Sequence, residues 1–230
     1  MPEAYATYIK SETALLFPGR DRYGPRLQFA VYALDVSDEA ESGLLNRVLY
    51  GGLPCREYAE NLFSSVKDDY LKANKDAPPD SKSDWSYIEL FDGGVYGQVT
   101  VISRSRYVYL GGAHGQNEKI CFVLDTGALS QVLLDDILQD GAKAVLQEHV
   151  DDALGSKYGA GPGAPLRAAG FLEDSGGVPE NFFLSPEGLG FCWNPYEIAP
   201  YSMGIIEITL PYGDIESLLN DRGLDLAGNF

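Results

Sequence analysis

Apolar residues recur at helical spacing in three stretches of the chain. The longest stripe runs from Cys55 to Tyr70, and Pro54 stands just before it, where proline favours the first turn of a helix. A shorter stripe follows Asp38, a residue type that caps helix N-termini, and a third stripe follows Gly141. The pattern therefore predicts three amphipathic helices that begin at these points.

Strict alternation of apolar and polar positions indicates strands elsewhere. In the stretch 118–125, Ile120, Phe122 and Leu124 are expected to point inward, which puts Cys121 on the opposite face. The tripeptide Asp92-Gly93-Gly94 is a hairpin signal between two such stretches. The predicted strands cover residues 13–17, 27–36, 85–91, 95–110, 118–125, 181–184, 189–193 and 206–212.

Strands joined by tight turns and interrupted by helices favour an α+β fold with a mainly antiparallel sheet and flanking helices. The polar stretch 74–84 contains Pro78-Pro79 and is the best candidate boundary between subdomains. We therefore predict a smaller N-terminal α/β subdomain, residues 1–84, packed on a larger C-terminal α+β domain, residues 85–230.

The chain of 230 residues carries 34 acidic and 17 basic side chains, a formal net charge of −17. Residues 116–230 hold 18 of the acids and 5 of the bases. Such a charge argues against nucleic acid or an anionic membrane surface as a partner and suits either plain solubility or the attraction of a basic protein. No apolar run approaches the ~20 residues of a membrane span, and no signal peptide is recognisable, although an export segment removed from the start would leave the same sequence.

The inventory of reactive residues excludes most familiar catalysts. The three cysteines, Cys55, Cys121 and Cys192, form no CxxC motif, so buried free thiols are favoured, with a Cys121–Cys192 bridge as the alternative for an exported chain. The two histidines belong to no HExxH motif, and P-loop, GxGxxG and GxSxG motifs are missing. We expect no cofactor and no metal, and no residue is nominated as catalytic.

His114 lies in the glycine-rich sequence GGAHG, residues 111–115. The glycines permit positive φ angles and a close approach of the backbone around the imidazole. A structural role, in which the ring bonds a backbone carbonyl or carboxylate, is favoured over contact with a ligand. His114 is nevertheless kept as a candidate ligand-binding residue.

The segment NPYEIAPY, residues 194–201, is the second candidate site. Two prolines stiffen it, while Tyr196 and Tyr201 supply rigid amphipathic surface and Glu197 lies between them. The segment suits either a corner packed on the sheet, with Glu197 bonded to backbone amides, or a recognition loop. The candidate ligand-binding set is therefore His114, Tyr196, Glu197 and Tyr201.

Two long segments resemble one known family. YVYLGGAHGQNEKICFVLDTGALSQVLLDDIL, residues 107–138, and NFFLSPEGLGFCWNPYEIAPYSMGIIEITLPYGDIESLL, residues 181–219, are similar to signature blocks of a bacterial extracytoplasmic domain family of unknown function. Members of that family form the sensor region of the lysozyme-binding anti-sigma factor RsiV and accompany the catalytic domain of the peptidoglycan deacetylase PdaC. The resemblance implies an extracytoplasmic, periplasmic or surface-exposed location, with lipid anchoring through a segment not in this sequence.

These observations favour a non-catalytic binding module of the cell envelope. The expected partner is a basic protein such as lysozyme, or a component of the cell wall. The alternative is a cell-wall-active enzyme or accessory domain that acts on peptidoglycan through carboxylates and His114. A scaffolding role fits the same composition.

Overall fold

The computed structural model describes residues 6–15, 25–76, 83–161 and 163–230. The strands are β1 Ala6–Leu15, β2 Arg26–Asp35, β3 Trp85–Tyr96, β4 Val99–Tyr109, β5 Gln116–Asp125, β6 Ser130–Val132, β7 Phe182–Ser185, β8 Gly188–Trp193 and β9 Ile206–Leu210. The α-helices are α1 Glu39–Leu49, α2 Cys55–Asn74, α3 Lys143–Tyr158, α4 Tyr212–Ile215 and α5 Asp221–Ala227. Short 3-10 helices occur at Leu134–Asp136, Leu166–Ala169, Tyr201–Met203 and Glu216–Leu218.

The strands form two sheets. Six strands follow the order β1-β2-β3-β4-β5-β6, with β1–β2 and β5–β6 antiparallel and β2–β3 parallel. Strands β7, β8 and β9 form a separate antiparallel sheet. A parallel neighbour needs a long crossover connection, which α1 and α2 supply between β2 and β3. The predicted α+β class is confirmed.

The chain groups into two compact units, each built from separate segments. We call residues 4–92 with 104–117 the N-unit, and residues 93–103 with 118–230 the C-unit. Each unit is a region of dense internal contacts. A region of dense contacts is not necessarily a domain that folds independently. The predicted domains 1–84 and 85–230 therefore stay a prediction.

The N-unit buries one face of β2 beneath its two helices. Asp38 caps α1 as predicted, because its carboxylate accepts the N–H groups of Ala40 and Glu41, both at 3.0 Å. In the core, the ring of Phe29 lies 5.1 Å from that of Phe63 on α2. The apolar stripe predicted for α2 therefore packs on the sheet.

One carboxylate is completely buried in the N-unit. Glu89 on β3 has 0% of its surface exposed and accepts hydrogen bonds from Tyr58 at 2.6 Å and Tyr87 at 2.9 Å. Burial, followed by the charge of Glu89, raises the pKa of both phenols, while the guanidinium groups of Arg104 and Arg106 act in the opposite direction. Glu89 is thus the centre of a hydrogen-bonded polar cluster inside an aromatic core.

The C-unit packs α3 against the three-stranded sheet. Leu146, Val150 and Leu154 on one face of α3 are fully buried in the same core as Phe191 on β8. Trp193 is buried as well, and its indole N–H donates to the Gly176 carbonyl at 3.1 Å. That bond ties the long connection after α3 to the sheet.

The hairpin between β3 and β4 turns later than predicted. Strand β3 continues through Asp92, Gly93 and Gly94 to Tyr96, and the turn lies at Gly97 and Gln98, where Gly97 has a φ of +57°. A Cβ on Gly93 would lie 2.8 Å from the Val101 carbonyl oxygen. Glycine is required there by the close approach of a neighbouring strand and not by a turn.

At the N-terminal end, β1 begins at Ala6, earlier than the predicted first strand at 13–17. Residues 16 and 17 of that prediction lie outside the described residues, as does the predicted loop that follows them up to residue 24. Residues 77–82 of the predicted boundary loop are outside them too.

Candidate functional site

A cavity of about 390 Å³ lies wholly within the C-unit. It is bounded by β5, by β6 and the turn after it, by the start of β7, and by the segment that follows β8. Its volume is at the lower end of the range in which proteins bind small molecules. The cavity is therefore the candidate functional site of this unit.

The interior and the rim of the cavity differ in polarity. Buried apolar side chains line its interior: Cys121, Val123, Val132, Leu134 and Phe182. Three carboxylates, those of Glu118, Glu180 and Glu197, line it as well, and Glu180 and Glu197 are exposed. The lining residues also include three amides, Gln131, Asn181 and Asn194. An apolar interior with acidic groups around it suits a ligand with an aliphatic stem and a positive charge.

Asn181 fixes one wall of the cavity. Its side-chain oxygen accepts the Cys121 N–H at 2.8 Å, and its side-chain nitrogen donates to the Lys119 carbonyl at 2.8 Å. Its own carbonyl accepts the Cys192 N–H at 2.9 Å. One side chain therefore joins β5 to the start of the second sheet and holds this wall in place.

Glu197 lines the cavity from a tight turn. Its carboxylate accepts the Asn194 N–H at 2.7 Å, and its own N–H donates to the Asn194 carbonyl at 3.0 Å. Asn194 in turn accepts the Lys119 N–H at 2.6 Å. The turn is thus anchored to β5, and Glu197 has a defined orientation together with an exposed side chain.

Tyr196 and Tyr201 lie together on the same segment. Their rings are stacked, with centroids 5.9 Å apart and planes at 29°. Tyr196 is 59% exposed and has a φ of +74°, a left-handed conformation that is unusual for a residue with a side chain. The two tyrosines of the predicted segment therefore stack on each other beside Glu197, and contact of these three residues with a ligand stays a prediction.

His114 lies in the N-unit, in the connection between β4 and β5. Its Nδ1 is 2.9 Å from the Gly115 carbonyl oxygen, a bond in which the ring nitrogen donates. The bond holds the exposed ring against its own turn. The proposed contact of His114 with a ligand stays a prediction.

The predicted orientation of β5 is wrong in part. Cys121 and Val123 are buried, whereas Ile120 and Phe122 are only half-buried. The physical reason is the second sheet, which covers the Cys121 face through Asn181 and Cys192. The sequence periodicity of β5 alone does not show that cover.

Basic side chains of residues 116–230 are already engaged with acceptors. Lys119 pairs with Glu207, and this bond raises the pKa of Lys119 although burial alone would lower it. Lys143, Arg167 and Arg222 each pair with two carboxylates, and Lys157 donates to the Glu207 carbonyl. All five basic side chains of residues 116–230 therefore have an acceptor, in a region that also holds 18 acidic side chains.

Most of the cavity residues were missed by sequence reasoning. Glu118 alternates with Ile120 and Phe122, and a carboxylate in register with apolar strand positions is a signal that could have found it. Glu180 and Asn181 stand before β7 and have no comparable local signal.

Among the described helices, none is both long and apolar enough to cross a membrane. Within residues 6–15, 25–76, 83–161 and 163–230, no three His, Cys, Asp or Glu side chains converge as a metal site requires.

A family model and several solved structures resemble this chain. The family model described as "Protein of unknown function (DUF3298)" matches residues 135–213. The crystal structure of a DUF3298 family member from Bacteroides fragilis is 24% identical, covers 98% of both chains and has a TM-score of 0.73. A DUF3298 family protein from Pseudomonas aeruginosa is 17% identical over 96% of both chains, with a TM-score of 0.65. No curated protein matches. Residues 135–213 therefore match the DUF3298 family model, and the two solved structures share the fold of the chain, which is consistent with the predicted resemblance to a family of unknown function.

Proposed function

We propose that this chain is a non-catalytic binding module that takes cationic side chains of a basic protein into the acidic cavity of its C-unit. The single observation that carries the proposal is the arrangement of Glu118, Glu180 and Glu197 around an apolar interior. A lysine or arginine side chain has the matching shape, since its stem is apolar and its end is charged.

Two other features support a basic partner. The excess of acids in residues 116–230 would speed encounter with a basic protein by electrostatic steering. The stacked pair Tyr196 and Tyr201 offers exposed aromatic surface on the segment that carries Glu197, and aromatic faces attract cations.

The proposed location is extracytoplasmic, in the cell envelope. Its support is the sequence resemblance to the family that includes the RsiV sensor region and the region beside the PdaC catalytic domain. Lysozyme is accordingly the basic protein of first choice, and a peptidoglycan fragment is the competing ligand.

The test measures binding of lysozyme by biolayer interferometry at about 20 mM and about 150 mM salt, because screening at the higher concentration weakens exposed charge pairs. The double variant Glu118→Gln/Glu197→Gln should weaken binding about tenfold at low salt, since each exposed pair is worth up to about 1 kcal/mol. The matched control is Glu148→Gln/Glu187→Gln, which removes the same charge at exposed positions outside the cavity lining.

Equal weakening in the two double variants would overturn the cavity as the binding site. Binding that is insensitive to salt, or binding of peptidoglycan fragments in place of lysozyme, would overturn the basic partner. Turnover of peptidoglycan fragments would favour the alternative of a cell-wall-active enzyme.

A further inference from the structure

Two cysteines far apart in the sequence meet in the C-unit. Cys121 lies on β5 and Cys192 on β8, and both are buried free thiols. The backbone N–H groups of both residues donate to Asn181, at 2.8 Å to its side chain and at 2.9 Å to its carbonyl. The Cys192 sulfur lies 3.9 Å from the carbonyl oxygen of Lys119, two residues before Cys121, and each thiol shifts the pKa of the other.

From this geometry we infer that Cys121 and Cys192 are an oxidative modification site, which a small-molecule disulfide converts to an intrachain disulfide between β5 and β8. The inference stands apart from the proposed function, because it concerns the chemistry of the thiol pair and not the ligand of the cavity. It also distinguishes these two cysteines from Cys55, which is buried in the N-unit.

Access to the pair is provided by the cavity. Cys121 is one of the residues that line it, whereas Cys192 is 0% exposed. A small oxidant that enters the cavity therefore meets Cys121 first. This order assigns Cys121 as the attacking thiol and Cys192 as the resolving thiol.

The electrostatic surroundings agree with that order. The interaction with the Cys192 thiol lowers the pKa of Cys121, and the ammonium group of Lys119 acts in the same direction. The same interaction and burial raise the pKa of Cys192. The negative charge of Glu207 raises the pKa of Cys121, but this carboxylate is paired with Lys119. Because the thiolate is the nucleophile in disulfide exchange, Cys121 is the better first attacker.

The proposed reaction proceeds in two balanced steps. The Cys121 thiolate attacks one sulfur of the small disulfide, a mixed disulfide forms, and the other half leaves as a thiolate that takes up the proton lost by Cys121. Cys192 then loses its proton and attacks the Cys121 sulfur, and the second half leaves as a thiol. The protein gives up two electrons and two protons, and the small disulfide becomes two thiols.

The test incubates the full chain with hydroxyethyl disulfide, unfolds it in the presence of N-ethylmaleimide and counts labelled cysteines by mass spectrometry. We expect the count to fall from three to one, with a cross-linked peptide that joins residues 121 and 192 and with Cys55 labelled. The midpoint of thermal unfolding should rise by roughly 5 to 15 °C and return after reduction, since a bridge over so long a loop restricts the unfolded chain.

Two cysteine variants test whether bridge formation is specific to Cys121 and Cys192. Cys55→Ser should form the bridge as the parent does, whereas Cys192→Ser should stop at the mixed disulfide on Cys121. Three labelled cysteines in the treated parent chain, or a bridge that involves Cys55, would overturn the inference. The parent chain alone decides between these outcomes, so the result does not depend on the folding of a variant.

Discussion

In the N-unit the carboxylate of Glu89 is enclosed by aromatic side chains and accepts two phenol hydrogen bonds, whereas in the C-unit Glu118, Glu180 and Glu197 surround a cavity. All four are glutamates in an acidic chain, yet only the second group has room beside it for a ligand. Net charge therefore indicates a basic partner only after the buried carboxylates have been set aside. Three predictions test this difference between the enclosed carboxylate and the carboxylates that line the cavity.

The largest effect is expected from Glu89→Ala. The substitution leaves the phenol O–H groups of Tyr58 and Tyr87 without their acceptor inside the aromatic core. The free energy of unfolding should fall by about 2 to 5 kcal/mol, because two buried hydrogen-bond donors are left unsatisfied and each costs about 1 to 3 kcal/mol. Urea unfolding followed by circular dichroism measures it.

Glu89→Gln is the control, because glutamine has nearly the same shape and retains an acceptor oxygen for one of the two phenols. It should cost clearly less than Glu89→Ala. A loss below about 1 kcal/mol for Glu89→Ala would contradict the structural role of this carboxylate.

The second effect is a loss of stability in alkali. Burial raises the pKa of Tyr50 and of Tyr87, so the folded chain keeps phenol protons that the unfolded chain releases above its ordinary pKa of about 10. The free energy of unfolding should therefore fall as the pH rises above about 10, by roughly 1.4 kcal/mol per pH unit for each such tyrosine.

Urea unfolding at about pH 9, 10 and 11 measures the slope. Tyr87→Phe removes one of the protons concerned and should make the slope shallower by roughly 1.4 kcal/mol per pH unit. An unchanged slope in that variant would show that other groups cause the alkaline loss.

The smallest effect on stability is expected at the cavity. Glu118→Gln and Glu197→Gln should each change the free energy of unfolding by less than about 0.5 kcal/mol, because these side chains are not enclosed and glutamine can still accept the Asn194 N–H. Thermal and urea unfolding of the single variants check this. A loss of several kcal/mol in either would place that glutamate with Glu89 among the structural carboxylates.

Local patterns in the sequence predict helices well in this chain because the determining contacts are close in sequence. Asp38 caps α1 through N–H groups two and three residues away. Pro54 stands directly before α2, and the stripe after it packs as its spacing predicts. These interactions lie within one or two helical turns and are readable from neighbouring letters.

Features set by distant residues were not predictable in the same way. Position 93 requires glycine because its backbone lies close to Val101 on the next strand. The sequence Asp92-Gly93-Gly94 therefore resembles a turn, although it lies inside β3. Cys121 is buried by Asn181, which lies 60 positions later. The cavity likewise joins β5 to residues after β6 and β8, and only Glu197 of its carboxylates was predicted. The periodicity of a strand indicates which of its side chains share a face, whereas segments distant in the sequence determine what covers that face.

The parallel pairing of β2 with β3 has a consequence for how the chain folds. Its register joins Leu27 to Trp85, and the whole of α1 and α2 lies between them. Closing so long a loop costs entropy before any ladder hydrogen bond repays it, whereas the two helices form from local contacts. Refolding kinetics should accordingly show early helix formation, with the central ladder of the large sheet completed in the rate-limiting step.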